Sequence, residues 1–373
     1  DLSVDRLSAR GLPEVWRRYR RKSAAPIRLY LHIGMHKAGS SAIQKTLALR
    51  ERALRRHGLL YPRTGRVASQ AHHLISHALG FSQGTPPSIK FRSQLKDLGP
   101  KLEHEARKSG CHTLLVSSEV FTNRGDIAKV QEFFSGFDTY VLIYLRRHDH
   151  WWASCYSQGV KTVANPPWSA GFDNYMAYQR RHPHKGNYRG LVDRWAAVFG
   201  ASRLIVRPYE SGQNKPSIVA DVLDSTGFAE LGREIGAQVG VYNRSLGERE
   251  IAVIDAIQHA ELDKGLRKRL VKAIIARPTQ SKNNGYVSPA LRLQLIEENL
   301  ADYRYIAETY LQRGDGKLFY EPLPEQDASW RPPAPASLGE IIEAVEEVLA
   351  RQTGRRWHKW TASQAARIPW EKP

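Results

Sequence analysis

The sequence predicts an α/β fold: a P-loop-type parallel sheet flanked by helices, with a largely helical C-terminal part. Three observations carry this. Residues 29–42, LYLHIGMHKAGSSA, pass from an apolar strand-like stretch through a loop bracketed by Gly34 and Gly39 into a helix start. Further apolar runs of strand length, HTLLVSS at 112–118, TYVLIYL at 139–145 and RLIVR at 203–207, alternate with segments of helical period. That alternation is the mark of parallel strands joined by crossover helices. Beyond residue 247 the segments 247–262, 264–276, 288–312 and 338–352 are helical in period.

Along the chain, residues 1–26 form a basic segment whose densest run, RRYRRK at 17–22, reads as a solvated arm. Leu29, Leu31 and Ile33 then give a buried central strand. Ser40 and Ser41 are expected to cap the following helix, whose apolar positions are Ile43, Leu47, Leu49 and Leu54 and which closes near His57-Gly58. LLYP at 59–62 is a short second strand, and a helix begins within 70–79. His73 and His77 share a face of it at metal-ligand spacing, but no acidic or cysteine cluster accompanies them, so no metal is expected. Residues 81–87 read as loop and 88–109 as a polar helix.

The strand at 112–118 leads to Glu119, and the strand at 139–145 ends in Arg146-Arg147. An amphipathic helix with Trp151, Trp152, Ser154, Tyr156 and Val160 follows, broken by Asn165-Pro166-Pro167. Residues 168–187 are aromatic and basic. Tyr175, Tyr178, Arg180, Arg181, His182, His184 and Lys185 suit either a sugar site or an ordinary surface loop. A helix through Leu191, Trp195 and Val198 feeds the strand at 203–207, which ends in Pro208-Tyr209-Glu210. Helices are predicted over 216–227, 247–262, 264–276, 288–312 and 338–352, with a proline-rich linker at 321–336. The division is a basic segment (1–26), an α/β core (27–246) and a helical extension or lid of the same domain (247–373).

Composition narrows the classes. With 373 residues, 41% hydrophobic and 25% charged, the chain suits a globular fold with one large core. No stretch reaches the ~18 apolar residues of a membrane span, and no signal peptide is visible. A cytoplasmic location is expected, with a removed anchor also compatible with a start at Asp1. Cys111 and Cys155 read as two free thiols. The net charge of +19 fits nucleic acid, an anionic surface, an acidic polysaccharide or a phosphorylated small ligand. No nucleic-acid module accompanies it, so nucleic acid is not the expected partner. Oligomeric state is not legible.

A strand running through a Gly-bearing loop into a helix start aims backbone N–H groups and a dipole's positive end at one point, which suits phosphate. Gly34 and Gly39 match the glycines of G-x-x-x-x-G-K-[ST], but Ser40 stands where a nucleotide triphosphatase has lysine, and the lysine comes earlier, at Lys37. The run Gly34, His36, Lys37, Ala38, Gly39, Ser40, Ser41 resembles the 5′-phosphosulfate loop of sulfotransferases that use PAPS (3′-phosphoadenosine 5′-phosphosulfate), in their carbohydrate-type and bacterial branch. Arg146 at a strand end and Ser154 eight positions later resemble that family's 3′-phosphate motif, a guanidinium fork plus a hydroxyl. Asn243-Arg244-Ser245 ahead of a helix is similar to the late loop that closes over the same phosphate, making Arg244 a further contact.

The resemblance spans residues 28–246. It implies a sulfotransferase with PAPS as cofactor, 3′,5′-ADP as product, no metal, and a hydroxyl-bearing acceptor, a saccharide or glycolipid. In-line sulfuryl transfer needs a base for the acceptor hydroxyl and a cation for the departing phosphate. Lys37 suits the second. Glu119, at a strand's C-terminal end, suits the first, with His72 and His73 as acceptor-site histidines by their position after the second strand. A phosphoryl-transfer enzyme and a non-catalytic basic binding protein for acidic glycans or nucleic acid are the alternatives.

Overall fold

The computed structural model describes residues 26–82, 89–182, 184–236, 246–277 and 285–353. Five strands form one parallel sheet: β1 (Arg28–His32), β2 (Leu59–Leu60), β3 (Thr113–Ser117), β4 (Asp138–Arg146) and β5 (Leu204–Tyr209), in the order β2-β3-β1-β4-β5. β1 lies in the middle, with Leu29 paired to Leu114 of β3 and to Thr139 of β4. Leu29, Leu31, Leu114 to Val116 and Val141 to Leu145 are all buried, as expected where helices cover both faces of a parallel sheet. The predicted α/β class is therefore the one observed.

The phosphate-type loop enters α1 (Ser40–Leu49), which gives way at Arg50 to α2 (Glu51–Arg56). The continuous helix expected over this stretch is interrupted, and Leu49, taken as an apolar-face position, is 73% exposed. Next come α3 (His73–Ala78), α4 (Ile89–Ser109) and α5 (Ile127–Phe133). The strand-end helix is α6 (His148–Thr162), followed by α7 (Phe172–Gln179) and α8 (Tyr188–Phe199). Helix α8 packs on β4 and β5. Its Trp195, 1% exposed, meets Phe81 and Phe121 in the core.

After β5, α9 (Ile218–Ser225) packs on α1, with α10 (Ala229–Gly236) against α9. Helices α11 (Glu248–His259) and α12 (Lys264–Ile275) follow. The helix predicted over 288–312 is two, α13 (Pro289–Glu297) and α14 (Leu300–Tyr310). Between them the Asn299 side chain donates to the Leu295 carbonyl, a side-chain bond that competes with the helical ladder. Helix α13 packs on α6, α14 on α8 and β5, and α15 (Leu338–Thr353) on α11 and α12.

The stretch read as a linker from residue 321 is tied down at its start. Glu210, at the end of β5, accepts the N–H groups of Tyr320 and Glu321, and Arg147 donates to the carbonyls of Glu321 and Pro322. Arg147 also forks onto the buried Asp149 carboxylate (2.8 and 3.0 Å), which Arg292 of α13 meets at 2.8 Å. Burial pushes the Asp149 carboxyl up, but the Arg147 hydrogen bonds, the charge of His150 and the two guanidinium charges outweigh it and hold it at about 2. No helix among the described residues is long and apolar enough to cross a membrane. Both cysteines are free thiols, Cys111 buried and Cys155 partly so.

Candidate functional site

The loop after β1 is built for an anion. Gly34 and Gly39 adopt φ of +60° and +84°, and Lys37 itself stands at +66°. The left-handed turn at Gly39 could not carry a side chain, because a Cβ there would lie 2.8 Å from the Tyr209 ring. Ser40 and Ser41, expected as caps, are instead the first residues of α1; Gly39 occupies the cap position and no side chain caps the helix. The N–H groups of Gly39, Ser40 and Ser41 consequently have no partner among the described residues. Three open donors at a helix N-terminus, with its dipole behind them, form an anion cradle.

Two other elements reach this loop. Arg146, the last residue of β4, donates from Nη1 to the Lys37 carbonyl (2.8 Å) and stacks over Tyr209 at 5.4 Å. Trp151 of α6 donates from its indole to the His36 carbonyl (2.9 Å). Ser154, Gln158 and Lys161 recur at helical spacing along α6. The Lys37 ammonium donates to the Gln158 side-chain oxygen at 2.7 Å, so this face of α6 is turned to the loop. Burial pushes Lys37 down from its ordinary value, and the nearby Arg146 charge adds to that. Ser154 lies one turn before Gln158 and forms no direct bond to Arg146. Arg244 falls outside the described residues.

Glu119 comes from the other side, in the 3-10 turn Glu119–Thr122 that follows β3. Its backbone passes so close to Gly34 that a Cβ on the glycine would lie 3.1 Å from Glu119 Cβ. Gln44 of α1 donates to its carboxylate at 2.7 Å, and His73 Nε2 stands 3.8 Å from the other oxygen. Burial pushes the Glu119 carboxyl up, yet the His73 charge and the Gln44 hydrogen bond outweigh it, and the net direction is down. Burial also lowers His73, so at neutral pH its ring is uncharged and the Gln44 N–H is the stronger support for the ionised carboxylate. His36, lowered by burial, faces Glu119 as well.

The two acceptor-site histidines part company. His73 borders the site, with Nδ1 on Ser118 Oγ at 2.8 Å. His72 is fully buried, with Nε2 on the Pro62 carbonyl and Nδ1 accepting from Ser117 N–H, and burial holds it down at about 4. It braces β3 and offers nothing to a ligand, which corrects its placement in an acceptor site. The rings of His73 and His77 lie tilted to one another, with centroids 6.2 Å apart. Among the described residues no three His, Cys, Asp or Glu side chains group as metal ligands would.

Beyond α6, a cavity of about 260 Å³ is lined by His148, Trp152, Met176, Arg180, His182 and Lys185 among others. Of the aromatic and basic candidates for a sugar site, Arg180, His182 and Lys185 border this cavity. Tyr175 is buried against Trp152, Tyr156 and Trp168, and serves the core. Sequence reasoning overlooked Gln44, Gln158 and Lys161. Their helical spacing from Ser40 and Ser154 was the available signal.

No protein-family model matches the sequence, and no curated protein matches it. Among solved structures, the crystal structure of a sulfotransferase from Alicyclobacillus acidocaldarius is similar over 74% of this chain and 96% of that chain, at 16% identity and a TM-score of 0.38.

Proposed function

We propose that this protein transfers a sulfuryl group from PAPS to a hydroxyl of a saccharide acceptor, leaving 3′,5′-ADP. The observation that carries the reading is the meeting of three elements at one loop: an open N–H cradle with Lys37, the Arg146 guanidinium laid against it, and the Glu119 carboxylate packed on Gly34. The cradle and Lys37 suit the 5′-phosphosulfate, and Arg146 with Ser154 suits the 3′-phosphate. The residues fit the nucleotide because the cradle is open and its cations are uncompensated: no carboxylate pairs with Lys37 or Arg146 among the described residues.

PAPS supplies the activated sulfuryl group. Glu119 takes the acceptor's proton as the acceptor oxygen bonds to sulfur, and Lys37 neutralises the phosphate oxygen that keeps the electron pair of the broken S–O bond. Holding both partners in line within the site lowers the entropic part of the barrier. Glu119 is suited to this role by a carboxylate held ionised at neutral pH.

Calorimetric titration with 3′,5′-ADP, beside ADP with magnesium and beside 5′-AMP, tests the reading. Binding of 3′,5′-ADP alone, lost in Arg146→Ala, is expected. Preference for ADP with magnesium would instead assign the loop to phosphoryl transfer and refute it.

A further inference from the structure

The Glu119 carboxylate is flanked on both oxygens, and each flanking side chain rests on a serine at the end of β3. Ser117 and Ser118 are fully buried, and the extended backbone there turns their side chains to opposite sides. On one side, Ser117 Oγ accepts from the Gln44 amide nitrogen at 3.2 Å, and the same nitrogen donates to Glu119 at 2.7 Å. Both hydrogens of that amide are therefore engaged, and its oxygen is held away from the carboxylate. His32 of β1, in register with Ser117, stands with Nδ1 at 2.8 Å from Oγ. Burial pushes this ring down to about 4, so at neutral pH it is uncharged and can take the Ser117 hydrogen, leaving the oxygen free for Gln44. Its Nε2 is buried with no hydrogen-bond partner among the described residues, a cost that an apolar residue would avoid. On the other side, Ser118 Oγ meets His73 Nδ1 at 2.8 Å and Ser76 Oγ at 2.9 Å, while Ser76 also reaches the His73 carbonyl at 3.0 Å. The Ser76 hydrogen has two acceptors, so Ser118 can donate to a neutral His73 ring or accept from a charged one. Either way the ring is held with Nε2 3.8 Å from Glu119.

We infer that Ser117 and Ser118 are positioning residues for Glu119: Ser117 aims the Gln44 N–H at one carboxylate oxygen, and Ser118 aims the His73 ring at the other. Together they keep a carboxylate ionised in a largely buried place. The role of base rests on the sulfotransferase reading, but the protonation of Glu119 can be measured without turnover. Burial pushes the carboxyl up, and the two held side chains oppose it. The proton that His73 takes up on acidification comes to rest beside the carboxylate and delays its own protonation. His36 and Lys37 of the loop, His32 of β1 and Tyr61 beyond β2 also face Glu119. Freeing either Gln44 or His73 to turn away should let Glu119 protonate at higher pH.

The test is a carbon-13 NMR titration of the Glu119 carboxyl in the full chain, with the signal assigned by Glu119→Gln. Alanine removes only the hydroxyl of a serine, so Ser117→Ala and Ser118→Ala should keep the fold by circular dichroism. In each, the titration midpoint should rise by about half a pH unit, the worth of one hydrogen bond. Each shift should depend on the side chain being held. Ser117→Ala should therefore move nothing in a Gln44→Leu background, and Ser118→Ala nothing in a His73→Phe background, while the crossed combinations keep their shifts. A midpoint unmoved in either serine variant overturns the inference. So does a shift that persists without its partner, which would reduce that serine to packing. Failure of wild type to bind 3′,5′-ADP would strike the sulfotransferase reading alone, and the NMR cycles would still decide what holds Glu119.

Discussion

Replacing Lys161 by methionine should stabilise the protein. The substitution keeps the length and the packing stem of the side chain and deletes its charge. The folded chain lowers this ammonium from its ordinary 10.5 to about 8, first through burial and then through Lys37. At about 1.4 kcal/mol per pH unit, that fall corresponds to roughly 3 kcal/mol. The side chain keeps some solvent contact, and screening brings the expected gain to on the order of 1 kcal/mol. Below pH 8 the lysine is charged in both folded and unfolded chains and the cost is present in full. As pH rises from about 8 towards 10.5 the folded chain gives up its proton first, and the cost fades. Urea unfolding of both chains at pH 7 and pH 9.5 measures this, since titrating groups that do not feel Lys161 cancel in the difference and only the coupled Lys37 adds to it. A variant no more stable than wild type at pH 7, or a gain that does not shrink at pH 9.5, would refute the reasoning.

Lys37→Ala should abolish sulfuryl transfer while the chain stays folded, which a transfer assay beside circular dichroism would check. Removing the Gln44 N–H in Gln44→Leu should raise the Glu119 carboxyl, because that hydrogen bond favours its ionised form. The acid limb of the kcat/KM profile should then move to higher pH, and an unmoved limb would separate Glu119 from the proton transfer. Gly39→Ala forces a Cβ to 2.8 Å from the Tyr209 ring at φ +84° and should cost most of the 3′,5′-ADP affinity by calorimetry. Trp195→Ala, which empties a 1% exposed site among Phe81 and Phe121, should destabilise by about 3–5 kcal/mol in urea without touching the loop after β1.

The strands and the phosphate-type loop were legible because their signals are local. Gly34 and Gly39 mark turns that need positive φ, and Leu29, Leu31 and Val141 to Leu145 are apolar in runs. Glu119 and Arg146 were legible as residues at strand ends, where open parallel sheets gather their ligands. What the sequence hid depends on contacts between distant segments. Nothing local says that Gln44 would meet Glu119 across 75 residues, or Gln158 hold Lys37 across 121. His72 and His73 are neighbours of the same type, and only the path of the chain into α3 decides which one is sealed behind β3. Ser40 and Ser41 look like caps because their composition is that of caps, whereas the fold leaves their N–H groups open. The break at Asn299 was hidden for a similar reason, since an asparagine in a helical period gives no sign of whether its amide will turn back on the Leu295 carbonyl.

The pairing of Asp149 with Arg292, and of Arg147 with the carbonyls of Glu321 and Pro322, has a consequence for the order of synthesis. A chain emerging from the ribosome presents β4 and the start of α6 long before residues 292 and 322 exist. Until then, a carboxylate meant for the interior has Arg147 as its guanidinium partner and lacks the second, and Arg147 itself lacks two of its acceptors. The root of α6, whose Gln158 meets the loop at Lys37, is thus completed by segments around residues 292 and 322, made long after it. Nascent chains arrested before residue 292 should leave 3′,5′-ADP unbound, and competence should arrive only once residues 292 to 322 have left the exit tunnel and closed over Arg147 and Asp149.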